Sequence, residues 1–207
     1  MNGIGEEGGQ ALAKALEENS KLQKLQMPFN QLGDAGGKAL ACALKSNKSL
    51  LVLEVSSNGL GADGGQAFAE VMECSALQTL DMSDNQLGGV GGKAFAEGLE
   101  GNVTLQKLVL ANNQLGVAGA QALANGLKTN KALLELRVDS NSIGAEEGAG
   151  LWRRTPHSRS WSWKTTSSEM LGGSLLELYV NSNGIGAEGG QALANALKPS
   201  KCLLELS

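Results

Sequence analysis

Aromatic residues make up only 3% of the 207-residue chain: three Phe, three Trp and one Tyr. A core built on stacked rings is therefore excluded, and an aliphatic core must come from a chain that is 42% hydrophobic. Histidine is scarcer still. The only one, His157, lies in an irregular stretch, no Cys/His spacing suits a metal, and no Ser sits in a nucleophile-elbow pattern. No catalytic residue, metal or cofactor is identified, and a non-enzyme is expected. Basic charge is also lacking: the net charge of −4 and pI near 5.1 offer no basic face for nucleic acid or an anionic membrane. No run approaches the ~18 apolar residues that span a bilayer. The segment from Met1 to Lys14 lacks the basic and apolar regions of a secretory signal, so a cytoplasmic protein is expected. The glycosylation-type triplets Asn47-Lys48-Ser49 and Asn102-Val103-Thr104 would need a secretory route and carry no weight.

What the chain has is repetition. The stretch from Leu105 to Leu127, LQKLVLANNQLGVAGAQALANGL, recurs at intervals of 28 residues. Its first half, with Leu105, Leu108 and Leu110 apolar and Asn113 closing the run, predicts a short strand with Leu108 and Leu110 on one side and Val109 on the other. Its second half places Ala122, Leu123, Gly126 and Leu127 on one stripe of a short helix. Such a unit cannot bury its apolar face alone and must stack on copies of itself. Strands stack about 4.8 Å apart and helices about 8–10 Å, so the stack must curve, with strands concave and helices convex. Gly and Ala at each helix start keep neighbouring helices close. Cys42 is assigned to a small helix position, Ala or Gly in other copies, where a buried reduced thiol is expected; with Cys74 and Cys202 far off, no disulfide is expected.

Leu50 to Gly61, LLVLEVSSNGLG, and Gly190 to Leu197, GQALANAL, closely resemble the ribonuclease-inhibitor type of leucine-rich repeat, LxxLxLxxNxLG followed by GxxxLAxAL. The resemblance covers roughly nine-tenths of the chain. It implies an α/β leucine-rich repeat solenoid in a horseshoe arc. It also implies relatives such as ribonuclease inhibitor and the repeat regions of nucleotide-binding, leucine-rich-repeat receptors. The cysteine-rich inhibitor itself is not matched by a chain with three Cys.

Asn2, Asn30, Asn58, Asn85, Asn113, Asn141 and Asn183 close successive strands, with spacings of 27 or 28 residues until the last, which is 42. At fixed phase these amides are expected to bond buried turn backbone rather than a ligand. The long interval contains WRRTPHSRSWSWKTTSSEMLGGS, with Trp152, Trp161, Trp163, Arg153, Arg154 and Arg159. The chain thus reads as a repeat array over 1–151, an irregular insert over 152–174 and a continuation over 175–207. Both ends fall mid-repeat, which suggests a fragment of a longer array or a truncated gene model. The insert is either a genuine loop, with Trp152, Trp161, Trp163 and Arg159 as partner anchors, or, as the abrupt change of composition favours, a translated intron or gene-model error. Pro156 should stop the preceding helix, leaving it short and the insert mobile.

Three GxGxxG matches, at Gly3, Gly59 and Gly184, suggest a dinucleotide loop. They recur at repeat phase, however, and Gln31, Gln86, Gln114 or Ser142 replaces the first Gly elsewhere; an acid also sits where a pyrophosphate would approach. Helix-face carboxylates such as Glu17 and Glu18 read as solvated surface. The outward strand positions vary while the scaffold does not: Gln26, Glu54, Asp81, Val109, Arg137 and Tyr179 in one row, Lys24, Val52, Thr79, Lys107, Glu135 and Glu177 in another, and Phe29, Ser57, Asp84, Asn112, Ser140 and Ser182 before the asparagines. This face is expected to bind a protein partner, through Gln26, Glu54, Asp81, Asp84, Lys107, Glu135, Arg137, Glu177 and Tyr179. Glu54, Asp81 and Asp84 favour a basic partner, and no nucleic acid, membrane or small-molecule substrate is expected. The alternatives are a GTPase activator, because the Ran GTPase-activating protein is similar in repeat type, and a non-functional fragment. The activator reading predicts accelerated GTP hydrolysis that depends on Arg137 or Asn112.

Overall fold

The computed structural model describes residues 2–143, 177–184 and 205–206. The insert expected at 152–174, the short helix before it, Cys202, and the four expected anchors Trp152, Arg159, Trp161 and Trp163 all lie outside them.

Among the described residues, helices and strands alternate as α1 (Gly5–Glu18), β1 (Lys24–Gln26), α2 (Gly33–Ser46), β2 (Val52–Glu54), α3 (Ala62–Glu70), β3 (Thr79–Asp81), α4 (Gly88–Gly101), β4 (Lys107–Val109), α5 (Gly116–Gly126) and β5 (Glu135–Arg137). Strands β6 (Glu177–Tyr179) and β7 (Glu205–Leu206) follow. The strands form one parallel sheet in chain order, each pairing only with its neighbours in sequence. Register is constant: Leu25, Leu53, Leu80, Leu108, Leu136, Leu178 and Leu206 stand side by side. The central leucines from Leu53 to Leu178 point inward and are buried, as are Met27, Val55, Met82, Leu110 and Val138 two residues on. Leu40, Leu44, Phe68, Phe95, Leu99 and Leu123 meet them from the helices in one continuous core. The rows flanking each central leucine face the other side of the sheet.

Close helix approach depends on glycine. A Cβ on Gly92 would stand 2.9 Å from Gly119 Cα, and one on Gly9 3.0 Å from Gly36 Cα, distances that real side chains avoid. Farther along, a Cβ on Gly98 would meet the Ala69 carbonyl oxygen at 2.6 Å. The helix layer can therefore stack only because these positions carry no side chain.

The closing asparagines hold the turns together. Asn113, 0% exposed, donates its amide to the carbonyls of Met82, Leu110 and Ala111 at 2.9, 3.1 and 3.1 Å. Its backbone N–H in turn donates to Asn141 Oδ1 at 2.8 Å. Asn58, Asn85, Asn141 and Asn183 likewise donate to a carbonyl of the preceding repeat, so consecutive turns among the described residues are bonded to one another. A second column lies at the helix exits. Asn47 donates to Leu16 O and Asn19 O at 2.7 Å each, and Asn130 to Leu99 O and Asn102 O at 2.7 and 2.9 Å. Asn47 and Asn102, the asparagines of the glycosylation-type triplets, are thus buried donors into the preceding repeat.

The Asn58 repeat is one residue short, and its helix α3 spans 9 residues where α2 and α4 span 14. A turn over 71–74 replaces the missing helical turns, and Ser75 replaces the asparagine of the second column.

Cys42 corrects the expectation of a buried thiol: it is exposed, as is Cys74. Repeat phase aligns Cys42 with Lys14, Glu70, Glu97 and Asn125, the outward column of the helices, whereas the buried column beside it holds Ala41 and Ala69. Glu17 and Glu18 are exposed as expected.

Candidate partner-binding face

Each outward row is brought together by the register. Gln26, Glu54, Asp81, Val109, Arg137 and Tyr179 follow one another strand by strand, and so do Lys24, Val52, Thr79, Lys107, Glu135 and Glu177. Neighbours therefore stand about 4.8 Å apart along a row. Val109 is the apolar break in the first row and is only 6% exposed, with Asp81 and Arg137 as its strand neighbours.

Most of these side chains are tied to a neighbour. Glu54 accepts a hydrogen bond from Gln26 Nε2 at 2.5 Å and lies 3.6 Å from Lys24 Nζ. Lys107 Nζ lies 2.8 Å from Glu135. Arg137 Nε donates to Asp139 Oδ2 at 3.2 Å while its guanidinium sits 4.9 Å from the centroid of the Tyr179 ring, a cation–π contact. Tyr179 donates its hydroxyl to Glu177 at 3.3 Å. Such pairing orders the side chains, although exposed pairs of this kind add little stability.

Asp139 escaped the sequence reading. It is 7% exposed and accepts from the Asn181 N–H and Asn181 Nδ2 at 3.1 and 3.0 Å, besides Arg137. One carboxylate thus joins β5 to β6 and orients Arg137. The signal was present: Pro28, Ser56, Ser83, Ala111, Asp139 and Asn181 form a further outward row two residues after the first, the spacing at which strand side chains share a face.

Three cations, Lys24, Lys107 and Arg137, are matched with Glu54, Glu135 and Asp139. Asp81 and Asp84 have no cationic partner among the described residues. Asp81 accepts from the Ser83 N–H and Oγ at 2.9 and 2.7 Å, and Asp84 from Asn112 Nδ2 at 2.7 Å, so both carboxylates are fixed with their charge uncompensated. Of the expected trio, Asp81 and Asp84 remain uncompensated while Glu54 is paired with Lys24; Glu177, also without a cationic partner among the described residues, adds to the acidic charge of the face.

The GxGxxG segments have a structural use. Gly3, Gly59 and Gly184 have φ of 58–69°, and Gln31, Gln114 and Ser142 take the same left-handed conformation at 54–58°. The anion position at the start of α3 is filled from within, because Asp34 Oδ1 of the preceding repeat accepts from the N–H groups of Gly61 and Gly64 at 2.8 and 2.7 Å.

A stack of strand–helix units in constant register, with variable side chains side by side on the outward rows, defines the class as a repeat solenoid. The family model described as "Leucine Rich repeat" matches residues 18–41, 46–69, 73–96, 101–124 and 174–194, more than half of the chain. The chain belongs to the leucine-rich repeat family. Among solved structures it is similar to leiomodin-1 actin-binding site 2, with TM-score 0.56 and 19% identity, over 62% of this chain and 75% of that one. It is likewise similar to the tropomodulin C-terminal domain of Caenorhabditis elegans, with TM-score 0.56 and 15% identity, over 63% of this chain and 81% of that one. Both likenesses concern the fold. Among curated proteins, none matches the chain.

Proposed function

We propose that this chain is a non-catalytic, cytoplasmic scaffold that docks a basic protein segment on the concave strand face, within a sensing or regulatory protein. The observation that carries the reading is the contrast within one register. The inward leucines and closing asparagines repeat without change, while the outward rows present ordered side chains that leave Asp81 and Asp84 uncompensated. The exposed thiols of Cys42 and Cys74 suit a reducing compartment. The array itself is proposed to run over 1–151 and to resume over 175–207 beyond the 152–174 insert, which the repeat match at 174–194 and the direct pairing of β5 with β6 support.

The test is affinity capture with three forms of the chain: unaltered, Asp81→Lys with Asp84→Lys on the strand face, and Glu70→Lys with Glu97→Lys on the helix face. Partners that bind the first and third forms but not the second, and elute at moderate salt, are the expected result. Partners lost equally from both variants would sink the concave-face assignment. Because the similar leiomodin-1 domain is an actin-binding site, actin filaments are a defined probe for the same three forms.

A further inference from the structure

Phe29 stands apart from its row. The residues before the closing asparagines, Phe29, Ser57, Asp84, Asn112, Ser140 and Ser182, all have φ between 53 and 59°. Five are small and polar, and the asparagine and aspartate among them are the types that visit this left-handed region most readily. Phe29 is bulky, has φ of 59° and remains 49% exposed. The ladder dictates this conformation, since the Phe29 N–H donates to Ser56 O at 3.1 Å and Asn30 Nδ2 donates to Pro28 O at 2.9 Å. Ser or Asn would meet the same bonds with less strain, and half-exposure returns little hydrophobic gain for the ring. Strain at a side chain that the fold does not need points to a use outside the fold.

We infer that Phe29 is an apolar anchor for the partner, and that the docked segment is basic, with one apolar side chain about 10 Å from a Lys or Arg. This rests on the concave-face reading above. Asp84 occupies the same rim position as Phe29 two strands on, at about 4.8 Å per step, with only the small Ser57 between them. An exposed ring, a short side chain and a fixed, uncompensated carboxylate therefore lie in sequence along one rim. The complementary partner places an aliphatic or aromatic group on the ring and a cation on Asp84, with Asp81 beside it. On a helix, seven positions give this separation, about 10.5 Å.

Two synthetic helical peptides of about 18 residues and equal composition test it. One carries Leu seven positions from an Arg pair, the other carries Leu adjacent to the pair. Fluorescence anisotropy at low salt should show the spaced peptide binding on the order of tenfold more tightly. Phe29→Ser should remove that advantage, and Asp84→Asn should weaken both peptides and flatten their salt dependence. Thermal unfolding of Phe29→Ser supplies the folding control, with a midpoint equal to or above that of the unaltered chain. A midpoint lower by several degrees would make Phe29 a packing residue and overturn the anchor. Binding that responds to Asp84→Asn but not to Phe29→Ser also overturns the anchor and leaves the concave-face reading standing. Binding of neither peptide, or indifference to both substitutions, overturns both.

Discussion

At the scale of single residues, the molecule separates side chains that the fold requires from side chains that it tolerates. Asn113 is required: it is fully buried, and its amide serves three carbonyls of two repeats. Asn113→Ala would strand those acceptors, and a loss of about 2–4 kcal/mol is expected in urea unfolding. Phe29 is tolerated, so Phe29→Asn should stabilise the chain by about 1 kcal/mol in the same assay, by relieving its left-handed conformation. The closing asparagine row was legible in the sequence because it keeps its phase through six repeats. The second column, Asn19, Asn47, Asn102 and Asn130, was not, because Ser75 interrupts it and its members follow a helix rather than an LxL strand. Cys42 shows a different failure. Its smallness suggested the buried stripe, yet one residue of phase, about 100° around a helix, separates Ala41 inside from Cys42 outside.

At the scale of elements, strand existence, order and facing could be read directly, because a period-2 leucine pattern at a fixed repeat leaves one register that buries every leucine. Helix lengths could not. The one-residue deletion gives no hint that α3 ends after 9 residues, since the loss is absorbed by a turn at the helix exit. Helix stacking rests on contacts made by missing side chains. Gly92→Val should therefore cost about 1–3 kcal/mol by forcing α4 from α5, measurable as a lower urea midpoint. The exposed helix-face pair makes a contrast. Lys38 Nζ lies 2.6 Å from Asp63 Oδ2, and this hydrogen bond raises the Lys38 pKa from 10.5. A raised lysine pKa contributes stability in full below the unfolded value and loses it as pH rises through the folded one. Any contribution of the pair is thus full below about 10.5 and lost only as pH rises beyond it; because both side chains are exposed that contribution is small, and Asp63→Asn should leave the unfolding midpoint near pH 7 almost where it is.

At the scale of the whole molecule, the sheet order is the chain order, so every contact layer joins only adjacent repeats and stability is a sum of units and their interfaces. Cooperativity then depends on every interface being strong enough to transmit unfolding to the next. Among the described helices the weakest place is around α3, which offers a shorter surface to α2 and α4, so there the strand and asparagine ladders carry the coupling. Leu80 sits at that place, on β3 and buried between Leu53 and Leu108. Leu80→Ala should remove about 2–5 kcal/mol, as core truncations do. In a chain with one compact core that loss would lower a single transition. In this stack it should split the transition, with amide hydrogen exchange showing protection lost first over β2 to β4 while α1 and α2 stay protected as a separate unit. A single sharp transition with protection lost evenly along 2–143 would instead show that the leucine core couples the repeats more strongly than nearest-neighbour stacking allows.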